Sequence, residues 1–477
     1  MSQRNETAAV AAMVTTAVLL LVLIMVLGVA TAHQERQKRV SKMVAGVPRL
    51  LTAGLGLEVS KQAALAAATQ LKVIPLTWNS SGSLYIVSFT VGSDLVDAAF
   101  DTGSARLIVA TSDCTACDKT KYNPSTSRNA LVLIDPRKAR TVVEALRPDQ
   151  IVKGETQDVL CSDTVSYVSQ RNNILMYSDT VSFPRQLIPV ASLCDGTSID
   201  DVLTAAAATG PPPPPLTVTD YPIGGITSSV GSSSLNVFGM SGVLSVTQVD
   251  TAKWGWHGKA TKFLMPSCQL SDDAAFESAT IQAVALYYRA RGLPVVWSQY
   301  IGVDTGFIVF GPVRSVCSTV QYVPMLPQLQ YSNNALDRTP WRFYVVDVTG
   351  ITVDDVPQSQ YPRQFILDTG STQTQLPGAS TSTVPAINAA QRSVVIHLGS
   401  GTARAELRYS AAETRYRVPS LNTEAGYITE PVFGTMSDDT AAIFSSRKDV
   451  GLLGVTAMRN MYIEYDLTAR RIGILQP

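Results

Sequence analysis

A four-residue pattern able to do chemistry occurs twice in the chain. Ala98-Ala99-Phe100 runs into Asp101-Thr102-Gly103-Ser104, and Phe365-Ile366-Leu367 runs into Asp368-Thr369-Gly370-Ser371. In each copy an apolar run ends on a carboxylate and breaks into a tight polar turn. A single Asp-Thr-Gly is ordinary turn sequence. Two copies with matching approaches predict duplicated lobes, each delivering one carboxylate to a shared point; the alternative is two unrelated β-turns. Glycine after the Asp lets the turns approach without a Cβ between them. The hydroxyls of Thr102, Ser104, Thr369 and Ser371 can hold opposing backbone or carboxyl groups in place. Two carboxyls that close cannot both ionise easily, so they share a proton. One then acts as general base on a water while the other, protonated, polarises a carbonyl.

Composition narrows the field. Lys plus Arg number 38 and Asp plus Glu number 38, so there is no basic excess to bind a nucleic acid. His33, His257 and His397 lie far apart, without the close spacing of zinc motifs, so no metal or cofactor is expected. With 477 residues, 45% hydrophobic and 16% charged, the chain can bury a large core over two or three domains.

The elements that must position the two Asp residues read as strands. Runs rich in Val, Ile, Thr, Tyr and Phe alternate with Gly, Ser, Asn and Pro at 84–91, 98–110, 180–183, 306–310, 343–348, 365–367, 393–398 and 461–465, which predicts an all-β protein. One helix is predicted at 273–289, ending before Gly292 and Pro294. The segment 205–215 closes on five prolines and reads as an exposed insertion. A third triplet, Asp304-Thr305-Gly306, lacks the Ser and the apolar approach, and is read as a hairpin turn.

The N-terminus is of another kind. Thr7 to Ala32 carries no charge and is long enough to cross a hydrocarbon core of ~30 Å. Ala30-Thr31-Ala32 offers a signal-peptidase site, but the apolar run exceeds the usual h-region, favouring an uncleaved anchor over a secreted product. All six cysteines (Cys114, Cys117, Cys161, Cys194, Cys268 and Cys317) follow the span; their even number is compatible with three disulfides. That places the bulk of the chain in the endomembrane lumen or outside the cell. The opposing signal is the basic cluster Arg36, Lys38, Arg39 and Lys42.

From Leu84 to Pro477 the chain resembles a pepsin-type (A1 family) aspartic peptidase. The resemblance rests on the two Asp-Thr-Gly-Ser turns and on five further landmarks. Ile301–Gly311 resembles the hairpin that precedes the second lobe. Trp341–Val353 resembles the strands before the second catalytic loop. Leu452-Leu453-Gly454 and Met461–Ile474 resemble the apolar-apolar-Gly element and the closing strands. Ser241-Gly242-Val243-Leu244 is a poorer match to that element in the first lobe. The resemblance implies an all-β, bilobal fold with a cleft between two β-lobes, and a monomeric endopeptidase. It would hydrolyse polypeptide substrates through Asp101 and Asp368, without metal or covalent intermediate. It also implies a flap Tyr at Tyr167. The Gly residues usual after that Tyr are absent, and Ile108 stands where many relatives have Trp. Cysteine placement similar to plant nepenthesin-like members implies the pairs Cys114–Cys117, Cys161–Cys194 and Cys268–Cys317.

These readings divide the chain into an anchor or signal peptide at 1–32 and a basic stalk or zymogen prosegment at 33–77. An N-terminal lobe at 78–300 and a C-terminal lobe at 301–477 follow. The prosegment reading rests on seven basic and two acidic residues between His33 and Lys72, suited to covering an acidic cleft until acid releases them. The functional alternative is a weak or inactive relative that kept the fold as a binding or inhibitory module.

Overall fold

A computed structural model describes residues 70–79, 83–104, 106–117, 120–134, 145–151, 157–166, 170–193, 198–208, 212–231, 236–240, 294–311, 320–326, 343–378, 382–419, 427–437 and 449–476. All belong to one compact unit, Thr69–Pro477. The apolar segment at 7–32, the basic segment up to 69, the predicted helix at 273–289, Tyr167, Cys194, Cys268 and Cys317 lie outside them. Among the described residues no helix is long and apolar enough to cross a membrane.

The described chain is built from strands, as an all-β reading requires. The first four are β1 (Gln70–Asn79), β2 (Leu84–Val91), β3 (Asp94–Asp101) and β4 (Leu107–Ala110). The run read at 98–110 is thus two strands separated by the Asp-Thr-Gly-Ser turn. A 16-stranded sheet contains β1 to β4 together with Leu216–Gly231 and Gln170–Phe183 on one side. On the other it contains Thr305–Phe310, Val296–Ile301, Met461–Asp466 and Arg471–Leu475. An 8-stranded sheet contains Val345–Val353, Gln364–Asp368, Val450–Gly454, Thr374–Leu376 and Phe433–Thr435. These form the two β lobes. One continuous apolar core joins them, with Phe100, Phe238 and Trp297 packed in the same cluster as Leu367, Leu453 and Tyr465.

Each lobe places a short parallel pair at its centre. Val237–Gly239 pairs in parallel with β3, and Val450–Gly454 pairs in parallel with Gln364–Asp368. Every residue of Gln364–Asp368 and of Val450–Gly454 is buried. Strands covered on both faces read as unbroken apolar runs rather than alternating ones, which is why both Asp-Thr-Gly-Ser turns follow such a run.

Residues 70–77, read as the end of the stalk or prosegment, are most of β1. Val73, Ile74 and Leu76 are buried. The strand pairs with Gln186–Pro189 along its first half, then with Thr305–Phe310 and β2. The division at 300/301 likewise cuts the strand Val296–Ile301, which forms a hairpin with Thr305–Phe310. Asp304-Thr305-Gly306 lies in that hairpin, as expected. Its turn is gripped by Asp200, whose carboxylate accepts from the N–H of Thr305 (2.7 Å) and of Val303 (3.2 Å).

Asp200 belongs to a helix, Ile199–Ala208, that was not expected. It takes in residues 205–208 of the segment read as a proline-rich insertion. The prolines that follow are tied down, with Arg185 Nε donating to Pro214 O at 2.7 Å, and they lead directly into the strand Leu216–Gly231.

Candidate active site

Asp101 is the last residue of β3, and Asp368 the last of Gln364–Asp368. In register beside them lie two glycines: Gly239 opposite Asp101 and Gly454 opposite Asp368. Both glycines are required by the turn they face. A Cβ on Gly239 would lie 2.5 Å from Arg106 O, and one on Gly454 would lie 2.8 Å from Thr374 N. The apolar-apolar-Gly element of the N-terminal lobe is therefore Val237-Phe238-Gly239. The assignment to Ser241-Gly242-Val243-Leu244 is corrected, and those residues fall outside the described ones. Two apolar residues and a Gly are too short a run to single this element out in the sequence.

The two turns clasp each other reciprocally. Thr102 N–H donates to Thr369 Oγ1 and Thr369 N–H donates to Thr102 Oγ1, both at 2.9 Å. Each hydroxyl then donates across to the opposite strand, Thr102 Oγ1 to Leu367 O at 2.8 Å and Thr369 Oγ1 to Phe100 O at 2.9 Å. Four buried hydrogen bonds thus fix one turn against the other, each satisfying a group that would otherwise be desolvated without a partner.

The carboxyls are held in matching cradles. Gly103 N–H donates to Asp101 Oδ1 at 2.7 Å, and Gly370 N–H donates to Asp368 Oδ1 at 3.0 Å. Ser104 Oγ donates to Asp101 Oδ2, and Ser371 Oγ donates to Asp368 Oδ2 at 2.6 Å. A Cβ on Gly103 would lie 2.8 Å from the carboxyl carbon of Asp368, and one on Gly370 would lie 2.5 Å from that of Asp101. Each glycine thus packs against the carboxyl of the opposite turn, and the two carboxyls lie close together.

Burial is the largest influence on both groups and raises both above the ordinary carboxylate range. The negative charge of Asp101 pushes Asp368 up further. Donors from Ser104, Ser371 and the glycine N–H groups work against this by favouring the charged forms. Such a pair titrates as a unit, and its second proton is held well into the range where an isolated carboxyl would have lost it.

Around this centre the other expected residues are only partly placed. Ser162–Ser166 and Gln170–Phe183 form an antiparallel hairpin, pairing up to Ser166 and Arg171, while Tyr167 lies outside the described residues. Ile108 is fully buried. Cys114 and Cys117 form a disulfide. Cys161 is also disulfide-bonded, with its partner outside the described residues. Among the described residues no cluster of His, Cys, Asp or Glu has the makings of a metal site.

A pepsin-like, all-β fold with two Asp-bearing turns meeting between its lobes defines the class of protein. Residues 295–476 match the family model of the eukaryotic aspartyl proteases, so the chain carries a domain of that family over this span. No curated protein matches the chain.

Proposed function

We propose that the protein is an aspartic endopeptidase in which Asp101 and Asp368 are the catalytic pair. The observation that carries this reading is the reciprocal clasp. It brings two buried carboxyls close together and gives each the same set of donors. With one proton shared between them, the ionised carboxyl takes a proton from a water, whose oxygen then attacks the carbonyl carbon of a peptide bond. The protonated carboxyl gives its hydrogen bond, and then its proton, to the carbonyl oxygen. Collapse of the tetrahedral species passes a proton to the leaving nitrogen and breaks the C–N bond, returning the pair to one shared proton. Thr102, Thr369, Ser104 and Ser371 keep the carboxyls in this geometry before substrate arrives, where preorganisation is worth most.

Cleavage of an unstructured protein at acidic pH tests this. Asp101→Asn and Asp368→Asn should each lower kcat/KM by at least roughly 10³-fold while leaving the fold intact, and a statine-type inhibitor should block the wild type. Equal activity in the wild type and both variants would remove the two residues from the chemistry.

A further inference from the structure

We propose that Tyr344 is a positioning residue that sets the spacing of the two carboxyls through a second link between their strands besides the threonine clasp, an inference that rests on the catalytic reading of Asp101 and Asp368. Tyr344 is fully buried and is tied to both aspartate-bearing strands. Its backbone carbonyl accepts from Leu367 N–H at 2.9 Å, immediately before Asp368. Its hydroxyl donates to Met240 O at 2.6 Å, and Met240 N–H in turn donates to Asp101 O at 2.8 Å. A chain of contacts therefore runs from Asp101 through Met240, Tyr344 and Leu367 to Asp368. The clasp closes the same circuit on its other side, with Leu367 O accepting from Thr102.

The hydroxyl is itself held. Trp297 Nε1–H donates to it at 3.1 Å, and Trp297 meets Phe100 edge-on with ring centroids 6.2 Å apart. Trp297 also stacks on Tyr465 at 4.1 Å, and Tyr465 packs against Tyr344 at 4.4 Å. A phenol with one donor bond and one accepted bond, wedged among rings, has little freedom to move. Phe at position 344 would keep the ring packing but leave Met240 O and the indole N–H without partners. Met240, and with it the Asp101 strand end, would then lose its tie to the Asp368 strand.

The test is the steady-state pH profile of Tyr344→Phe against wild type. A small displacement of one carboxyl should lower kcat by roughly tenfold with KM within about twofold. The two limbs of the kcat profile should also move toward one another, because carboxyls held further apart repel less. Trp297→Phe leaves the Tyr344–Met240 bond in place and should give a smaller change of the same kind. It decides the matter should Tyr344→Phe fail to fold. A folded, active Tyr344→Phe with unchanged kcat and limbs overturns the role of Tyr344 alone. So does a Trp297→Phe profile equal to wild type when Tyr344→Phe does not fold. A wild type whose activity survives Asp101→Asn overturns the underlying reading and this inference with it.

Discussion

Asp101 and Asp368 leave their strands beside matching glycines and are cradled by the same two kinds of donor, a glycine N–H and a serine hydroxyl, yet the surroundings of the two loops differ. Behind the Asp101 loop lie Arg106, Ile108 and the Cys114–Cys117 disulfide, and two strands of 14 and 16 residues pair with one another. Behind the Asp368 loop the corresponding positions are Gln373, donating to Pro431 O at 2.9 Å, and Gln375, and the paired strands Thr374–Leu376 and Phe433–Thr435 have three residues each. The family match spans 295–476 and so takes in only the second loop. Likeness is kept where one loop touches the other, and the sheets behind are free to change. A close approach fixes residue type through contact distance, whereas a sheet face accepts any side chain of suitable size and polarity.

If the loops are equivalent where they meet, paired substitutions should have paired effects. The largest is expected from Gly103→Ala and Gly370→Ala, since each new methyl would collide with the carboxyl of the other lobe. Each should lower kcat/KM by more than about 100-fold, and a loss confined to one of the two would show that a single loop gives way. Next, Thr102→Val and Thr369→Val each strand a backbone N–H and a carbonyl. Unfolding in urea should show a loss of about 2–4 kcal/mol for either. A difference between them would measure how much the unlike sheets contribute.

The smallest effect concerns pH. Both carboxyls are raised by burial, so the folded chain binds more protons than the unfolded chain once the pH exceeds about 4. Stability is then greatest below that pH and declines as pH rises through the folded values. Asp368→Asn removes the second buried charge and should flatten that decline by at least about 1 kcal/mol in melts compared at pH 4 and pH 8. An unflattened slope would locate the pH dependence elsewhere.

The aspartate turns were legible because their chemistry is local: a strand, a carboxylate, a glycine and two hydroxyls within a few residues. Gly239 was not, since its need for glycine comes from Arg106, more than a hundred residues earlier. The helix Ile199–Ala208 was masked by the prolines after it, although Ser198 and Asp201 have the spacing of a helix start, with Asp201 N–H donating to Ser198 Oγ at 3.4 Å. β1 was missed for a related reason. The partners that make Gln70 and Leu71 a strand are Pro189 and Ile188, more than a hundred residues away. Propensity yields to pairing when the pairing is distant.

That placement of β1 bears on how the chain is made. Apart from β2, which meets only Thr77–Asn79, the earliest described strand has its neighbours at 186–189 and 305–308, and the strand beyond them is completed only by residues 461–466. During synthesis, the ribosome releases β1 long before those neighbours exist. The apolar side chains of Val73, Ile74 and Leu76 must therefore wait, unshielded, for nearly the whole polypeptide to emerge, a delay in which a chaperone has most to offer.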